Sequence, residues 1–109
     1  MIGPSEPISI RISHRLGRDE AKRRIDDGLA AIRRDVAQYV RSLDYQWQGY
    51  RLDFGAAILF QTIAGHIDVE DDVVRIEFML PRLLHLAARS IVGRIESRGA
   101  ALLEGPKRG

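Results

Sequence analysis

Hydrophobic positions recur along the chain with two different periods. Near the N-terminus, Ile8, Ile10 and Ile12 alternate with small or charged residues, the period of a strand with one buried face. Gly17 ends this run, and from Arg18 onward apolar residues recur every three or four positions. This second stripe consists of Ala21, Ile25, Leu29, Ile32, Val36 and Val40. Its spacing predicts an amphipathic helix from residue 18 to about residue 40.

The middle of the chain returns to the period of two. Four alternating runs are separated by short turn signals: 43–48, 50–55, a third run that ends with IAGHIDV at 63–69, and 73–80. They predict an antiparallel meander. A two-residue turn at Asp71 and Asp72 would fix the register of the last hairpin. Its apolar pairs would be Val69 with Val74, Ile67 with Ile76 and Gly65 with Phe78, and its polar pairs Asp68 with Arg75 and His66 with Glu77. Apolar partners then share one face and opposite charges the other.

A second amphipathic helix is predicted after Pro81, which cannot continue a central strand but suits the first turn of a helix. One face of this helix carries Leu84, Ala88, Ile91, Ile95 and Leu102, and the opposite face carries His85, Arg89 and Glu96. Arg94 and Arg98 fall at the borders of the apolar stripe, where their stems can cover apolar surface while their guanidinium groups stay in water. We expect the stripe to pack on the sheet.

The predicted order is therefore strand, helix, four strands, helix, an α+β fold with both helices on one face of an antiparallel sheet. We expect a single domain at residues 8–104, with residues 1–7 and 105–109 flexible. Apolar residues in the run AAILFQTI, at 56–63, make an edge-strand homodimer a further prediction.

Composition narrows the class of protein. The 109 residues include no cysteine, which excludes disulfides and thiolate metal sites and fits a reducing cytoplasm. The N-terminus has no basic start followed by an apolar region, and no run is long enough to span a bilayer, so neither export nor integral membrane association is expected. The net charge is only +2, but residues 82–109 hold six basic against two acidic side chains. The positive charge is thus concentrated on the C-terminal segment.

Candidate chemistry is sparse. The three histidines, His14, His66 and His85, lie on different predicted elements without a second ligand at metal spacing, so no metal site is predicted. The serines lack a nucleophile motif, and the glycines form no phosphate-binding loop, so we expect no catalytic residues and no cofactor. His66 is expected to lie beside Glu77 on the solvent face of the sheet, and His14 to orient the turn before the first helix.

Two groups of residues are candidates for contact with a partner or surface. The first is the set of arginines around the rim of the C-terminal helix, Arg82, Arg89, Arg94 and Arg98. The second is the aromatic pair Trp47 and Tyr50, which flank a tight turn and are expected either to pack or to stay half exposed. Because these aromatics are not interleaved with arginines, nucleic-acid binding is not expected.

Several short motifs resemble the polyhydroxyalkanoic acid system family of small bacterial proteins. They include SHRLGRDEA at residues 13–21, Trp47 with Gly49, QT at 61–62, GHIDV at 65–69 and LPRLL at 80–84. The resemblance extends from about residue 8 to residue 104. It implies an association with storage-polyester metabolism, and it brings no catalytic residues with it.

The leading hypothesis is a non-enzymatic cytoplasmic protein that associates with polyhydroxyalkanoate granules or their regulatory proteins, through an amphipathic helix and its arginines. The alternative is a carrier of small apolar ligands, with a pocket between the C-terminal helix and the sheet. A hydrolase or isomerase acting on acyl substrates is least favoured, because no acid, base and nucleophile constellation is present.

Overall fold

The elements of the protein follow the predicted order. The computed structural model describes residues 6–35, 41–58 and 61–104. Its elements are β1 (Glu6–Ser13), α1 (Arg18–Asp35), β2 (Ser42–Gln48), β3 (Arg51–Ile58), β4 (Gln61–Val69), β5 (Val73–Leu80), a 3-10 helix (Arg82–Ala87) and α2 (Ala88–Leu102). The α+β class is thereby confirmed. β1 begins two residues before the predicted domain start, and the tail at 105–109, like residues 1–5, lies outside the described residues.

The strands form one antiparallel sheet in the order β1-β5-β4-β3-β2. All five predicted pairs of the last hairpin are confirmed. The Glu70 amide donates to the carbonyl of Val73 at 2.9 Å, which closes the two-residue turn at Asp71 and Asp72. β1 lies beside β5, so the first and last strands are neighbours and the sheet edges are β1 and β2.

The ion pairs on the open face of the sheet differ in part from the prediction. Asp68 and Arg75 are Cα partners, yet Asp68 accepts two hydrogen bonds from Arg51, at 2.7 and 3.1 Å, whereas Arg75 pairs with Glu70 at 2.5 Å. Arg51 lies opposite Asp68 on β3 and can offer the bidentate geometry that carboxylates favour. Its hydrogen bonds lower the pKa of Asp68. The predicted pair of His66 with Glu77 is present at 2.9 Å.

The segment at 56–63 belongs to β3 and β4, and Leu59 and Phe60 lie outside the described residues. Its described residues at 61–63 have Cα partners on β3, whereas the pairing of β4 with β5 begins only at Gly65. The edge-strand homodimer at this segment stays a prediction.

The hydrophobic core lies between the sheet and the two helices, which cover the same face. Buried residues from every described strand except β2 contribute to it, with Ala21 and Ile25 from α1. Leu29 is half-buried, and Val36 and Val40 lie outside the described residues. The predicted stripe of α1 is thus confirmed over its first two turns.

His14 connects the start of α1 to the β4–β5 hairpin. The ring is buried, its Nε2 is 3.0 Å from the carbonyl of Glu70, and its Nδ1 is 3.1 Å from the amide of Leu16. The amide can only donate and the carbonyl can only accept, so Nδ1 accepts and Nε2–H donates in the neutral ring. The prediction that His14 orients this turn is confirmed, and Gly17, with φ of 77°, completes the entry into the helix.

Glu20 anchors the first turns of α1. Its carboxylate accepts hydrogen bonds from Arg23 at 2.6 and 3.0 Å and from Arg24 at 2.9 Å. The hydrogen bonding from Arg23, followed by that from Arg24, lowers the pKa of Glu20 to about 2. Glu20 is therefore ionised throughout the physiological pH range.

Candidate functional site

The C-terminal helix covers the sheet without packing tightly on it. The structure describes every residue of α2, and none is fully buried. Ala88, Ile91, Ile95 and Leu102 from the predicted stripe are half-buried. A helix packed at interior density would bury such a stripe completely. The prediction that this stripe packs on the sheet therefore holds only in part.

The last turns of α2 make close contacts with β1 and α1. Gly99 lies so near Ile12 of β1 that an added Cβ would overlap the Ile12 Cδ1 methyl. At Gly28 of α1, an added Cβ would come within 2.6 Å of both methyl groups of Leu102. Beyond the helix, Leu103 is buried. Two glycines thus allow α2 to contact β1 and α1 at one end.

Between the middle and C-terminal turns of α2 and the sheet lies a cavity of about 370 Å³, whose described lining from α2 begins at Arg94 and includes Gly99 and Leu102. All five strands contribute to its floor, which includes Phe54, Ile67 and Ile76. Leu29 of α1 and Ile95 of α2 form parts of its walls. A volume of this size lies within the usual range for small-molecule pockets, about 300–1,000 Å³.

The charged side chains in the described lining of this cavity are Arg94 and Arg98. They are exposed and stand four residues apart on α2, so they lie on one side of the helix at the cavity mouth. The same two arginines, with Arg89, also line a shallow groove on the outer side of α2. Arg82 is exposed at the start of the 3-10 helix and does not line either feature.

Trp47 and Tyr50 contact α1 and lie apart from the predicted arginine group of the C-terminal helix. Trp47 Nε1 donates to Asp26 at 2.9 Å, and the Lys22 ammonium lies 4.9 Å from the Trp47 ring centroid. The Tyr50 hydroxyl donates to Asp19 at 2.5 Å, which raises the pKa of Tyr50. Both aromatics are at the β2 edge, whereas α2 packs near β1 at the other edge. The two predicted groups therefore do not form one surface.

Sequence reasoning missed most of the cavity lining. Leu43, Tyr45 and Phe54 were assigned to strands but not to a site, although each alternates onto the helix-covered face and stays half-buried. Within the described ranges, no group of three potential metal ligands occurs, and every buried side-chain nitrogen or oxygen has a hydrogen-bond partner.

Fold and site together define a small α+β protein with an apolar cavity between two helices and an antiparallel sheet. The model of the family described as "Putative polyhydroxyalkanoic acid system protein" matches residues 8–103. The chain belongs to this family, which confirms the resemblance seen in its motifs.

Two other comparisons add little. The crystal structure of TTHA0849 from Thermus thermophilus is similar at 11% identity, over 90% of this chain and 92% of that chain, with a TM-score of 0.33. A search of curated proteins finds no match. Among the residues that the structure describes, no helix is long and apolar enough to cross a membrane.

Proposed function

We propose that the protein is a non-enzymatic cytoplasmic carrier that binds a small ligand with an apolar body in the cavity beneath α2. The observation that carries this proposal is the cavity itself, which is about 370 Å³ in volume and whose described lining is mostly apolar. Membership of the polyhydroxyalkanoic acid system family supports a ligand from storage-polyester metabolism.

The lining favours an apolar occupant over water. A buried water needs two to four polar partners, and the described lining offers side-chain polar atoms only on Tyr45, Arg94 and Arg98. A ligand that covers the same surface gains about 25 cal/mol per Å² of apolar area removed from water. The same described lining holds no carboxylate, imidazole or serine hydroxyl to serve as a general base, which favours a carrier over an enzyme.

The test is a titration of methyl-labelled protein with 1-decanol, a neutral apolar probe, followed by NMR. We expect saturable shifts at the methyl groups of Ile67, Ile76 and Leu29. Replacing Ile95→Phe adds bulk inside the cavity and should weaken binding. Ile91→Phe is the matched control, because Ile91 is one turn earlier on the same half-buried stripe and does not line the cavity. Unchanged methyl spectra, or equal effects of both variants, would contradict the proposal.

A second candidate function is binding to the surface of polyhydroxyalkanoate granules, as the sequence suggested. The observation in its favour is Leu86 of the 3-10 helix, which is fully exposed, with Arg82 and Arg89 exposed nearby in the chain. An exposed leucine among basic residues is the pattern by which interfacial helices meet a hydrophobic surface. In the other form of this proposal, the chain binds partner proteins on the granule.

Co-sedimentation with isolated granules tests the second candidate. We expect Leu86→Asp to reduce the bound fraction strongly. Ala101→Asp introduces the same charge at an exposed site near the other end of α2 and should leave the bound fraction unchanged. If wild type stays in the supernatant, or if the two variants behave alike, direct contact of Leu86 with granules is excluded.

A further inference from the structure

We propose that the ligand of the cavity is an unbranched aliphatic chain that lies across the strands and whose uncharged hydroxyl or carbonyl head hydrogen-bonds with Tyr45. This inference rests on the proposed ligand-binding function and deepens it by assigning the shape and the head group of the ligand.

The shape of the cavity carries the first step. Its described lining extends from Ile12 on β1, at one edge of the sheet, to Tyr45 on β2, at the other edge. Neighbouring strands are about 4.8 Å apart, so the floor spans roughly 19 Å across the sheet. Over this length, a volume of about 370 Å³ has a mean cross-section of roughly 19 Å². Since non-bonded carbon atoms approach to about 3.5–4.0 Å, this cross-section fits one extended alkyl chain and is too narrow for a fused-ring ligand.

Tyr45 supplies the uncharged polar side-chain group of the described lining. Its ring lies on the helix-covered face of β2, and the Arg33 guanidinium of α1 is 5.6 Å from the ring centroid. Among the described residues, none forms a hydrogen bond with the Tyr45 hydroxyl. Every enclosed polar side-chain atom of those residues does have a partner. The Tyr45 hydroxyl is therefore accessible to a bound molecule.

The chemistry of a phenol selects the head group of the ligand. The hydroxyl both donates and accepts, so it can pair with a hydroxyl or a carbonyl oxygen. Because it is uncharged, it does not offset the cost of removing an ionised group from water. A hydrocarbon without an oxygen would leave the covered hydroxyl unpaired, which lowers affinity. With the head at Tyr45, the chain extends over Phe54, Ile67 and Ile76 towards β1, in the order of the strands.

The volume of the cavity sets the chain length. A liquid-like volume of about 30 Å³ per small group means that about 370 Å³ holds on the order of ten to twelve methylene-sized groups. Each methylene group that is buried gives roughly a fourfold gain in affinity. Affinity should therefore rise by about this factor per methylene group from 1-hexanol through 1-octanol to 1-decanol.

Methyl-detected NMR titrations test the shape of the ligand with these three alcohols and with 1-adamantanol. 1-Adamantanol has as many carbon atoms and hydroxyl groups as 1-decanol, but its carbons form a compact cage of fused rings. We expect 1-decanol to bind at least about tenfold more tightly than 1-adamantanol.

The same titrations with two tyrosine variants test the head group. Tyr45→Phe should weaken 1-decanol binding by about fivefold, and it should leave the binding of xenon, which forms no hydrogen bond, unchanged. Tyr50→Phe is the matched control, because the Tyr50 hydroxyl donates to Asp19 and Tyr50 is outside the described lining. Methyl decanoate distinguishes an ester from an alcohol as the source of the oxygen, and decanoate provides a charged head on a chain of the same length.

The outcomes separate the two proposals. Equal or tighter binding of 1-adamantanol relative to 1-decanol would overturn the linear shape. Equal effects of Tyr45→Phe and Tyr50→Phe, or tighter binding of decanoate than of 1-decanol, would overturn the assigned head group. Each of these results leaves the apolar cavity as a ligand site, whereas absence of binding by every probe, xenon included, would overturn the proposed function as well.

Discussion

The contact of Gly99 with Ile12 decides how α2 sits on the sheet, and a pair of glycine substitutions tests it. Gly93 and Gly99 both lie within α2. A Cβ added at Gly93 would have no neighbour within 4 Å, whereas one added at Gly99 would overlap the terminal methyl of Ile12. Gly93→Ala and Gly99→Ala therefore share the same change in helix propensity but differ in their surroundings.

The expected magnitudes follow from this difference. Alanine is favoured over glycine inside a helix by about 0.8–1.0 kcal/mol, so Gly93→Ala should raise the free energy of unfolding by roughly that amount. At Gly99 the same gain is opposed by overpacking against Ile12, but the overlapped Cδ1 is the end of a side chain that also lines the cavity and can turn aside, so the cost should lie near the lower end of the roughly 1–3 kcal/mol typical of overpacking. Gly99→Ala should thus be less stable than Gly93→Ala by about 1 kcal/mol, or roughly 4–8 °C in Tm for a domain of this size.

Urea unfolding followed by Trp47 fluorescence and circular dichroism measures both variants. Ile12→Val removes the Cδ1 methyl that the new Cβ would overlap, so in that background Gly99→Ala should become about as favourable as Gly93→Ala. A double-mutant cycle isolates this coupling from the separate cost of Ile12→Val. Equal stabilisation by both glycine substitutions in the wild-type background would refute the close contact of α2 with β1.

Three further predictions concern the rest of the fold. Glu20 has a pKa of about 2 when folded and near 4.5 when unfolded, so its stabilisation is present above pH 4.5 and lost as pH falls towards 2. Urea unfolding from pH 7 to pH 2 should show a shallower loss of stability for Glu20→Gln than for wild type, and parallel curves would contradict this. His14→Ala leaves buried backbone groups without their partner and should cost about 1–3 kcal/mol in urea unfolding. His66→Ala on the open face should cost about 0.5 kcal/mol or less, so equal losses would argue against the assigned role of His14. Gly65→Ala would place its Cβ against the backbone carbonyl of Glu77, which cannot move aside as a side chain can. We expect at least about 3 kcal/mol of destabilisation. A urea midpoint like that of wild type would show that Gly65 does not approach the Glu77 carbonyl this closely.

The sheet could be predicted from sequence because its signals are local. In the β4–β5 hairpin, alternation and a short turn fix the register, and a slip by one residue would turn every apolar side chain to solvent. The choice of ion pair could not be predicted in the same way. Asp68 lies between Arg51 and Arg75 on neighbouring strands, so the pairing depends on which arginine presents the better geometry.

The sequence left a pocket between the C-terminal helix and the sheet as an alternative, because a half-buried stripe and a fully packed one have the same periodicity. Ile91 and Ile95 repeat as core residues do, whereas the distance of α2 from the sheet depends on tertiary contacts such as those that Gly28 and Gly99 admit. The border position of Arg94 and Arg98 was visible in the sequence. Their place at a cavity mouth depends on this tertiary contact.

Intermolecular nuclear Overhauser effects between 1-decanol and methyl-labelled protein show directly whether a ligand binds beneath α2. We expect contacts from the terminal methyl of 1-decanol to Ile67 and Ile76 on the cavity floor. Contacts confined to Leu86 and other exposed groups, with none to the floor, would contradict a ligand cavity beneath α2.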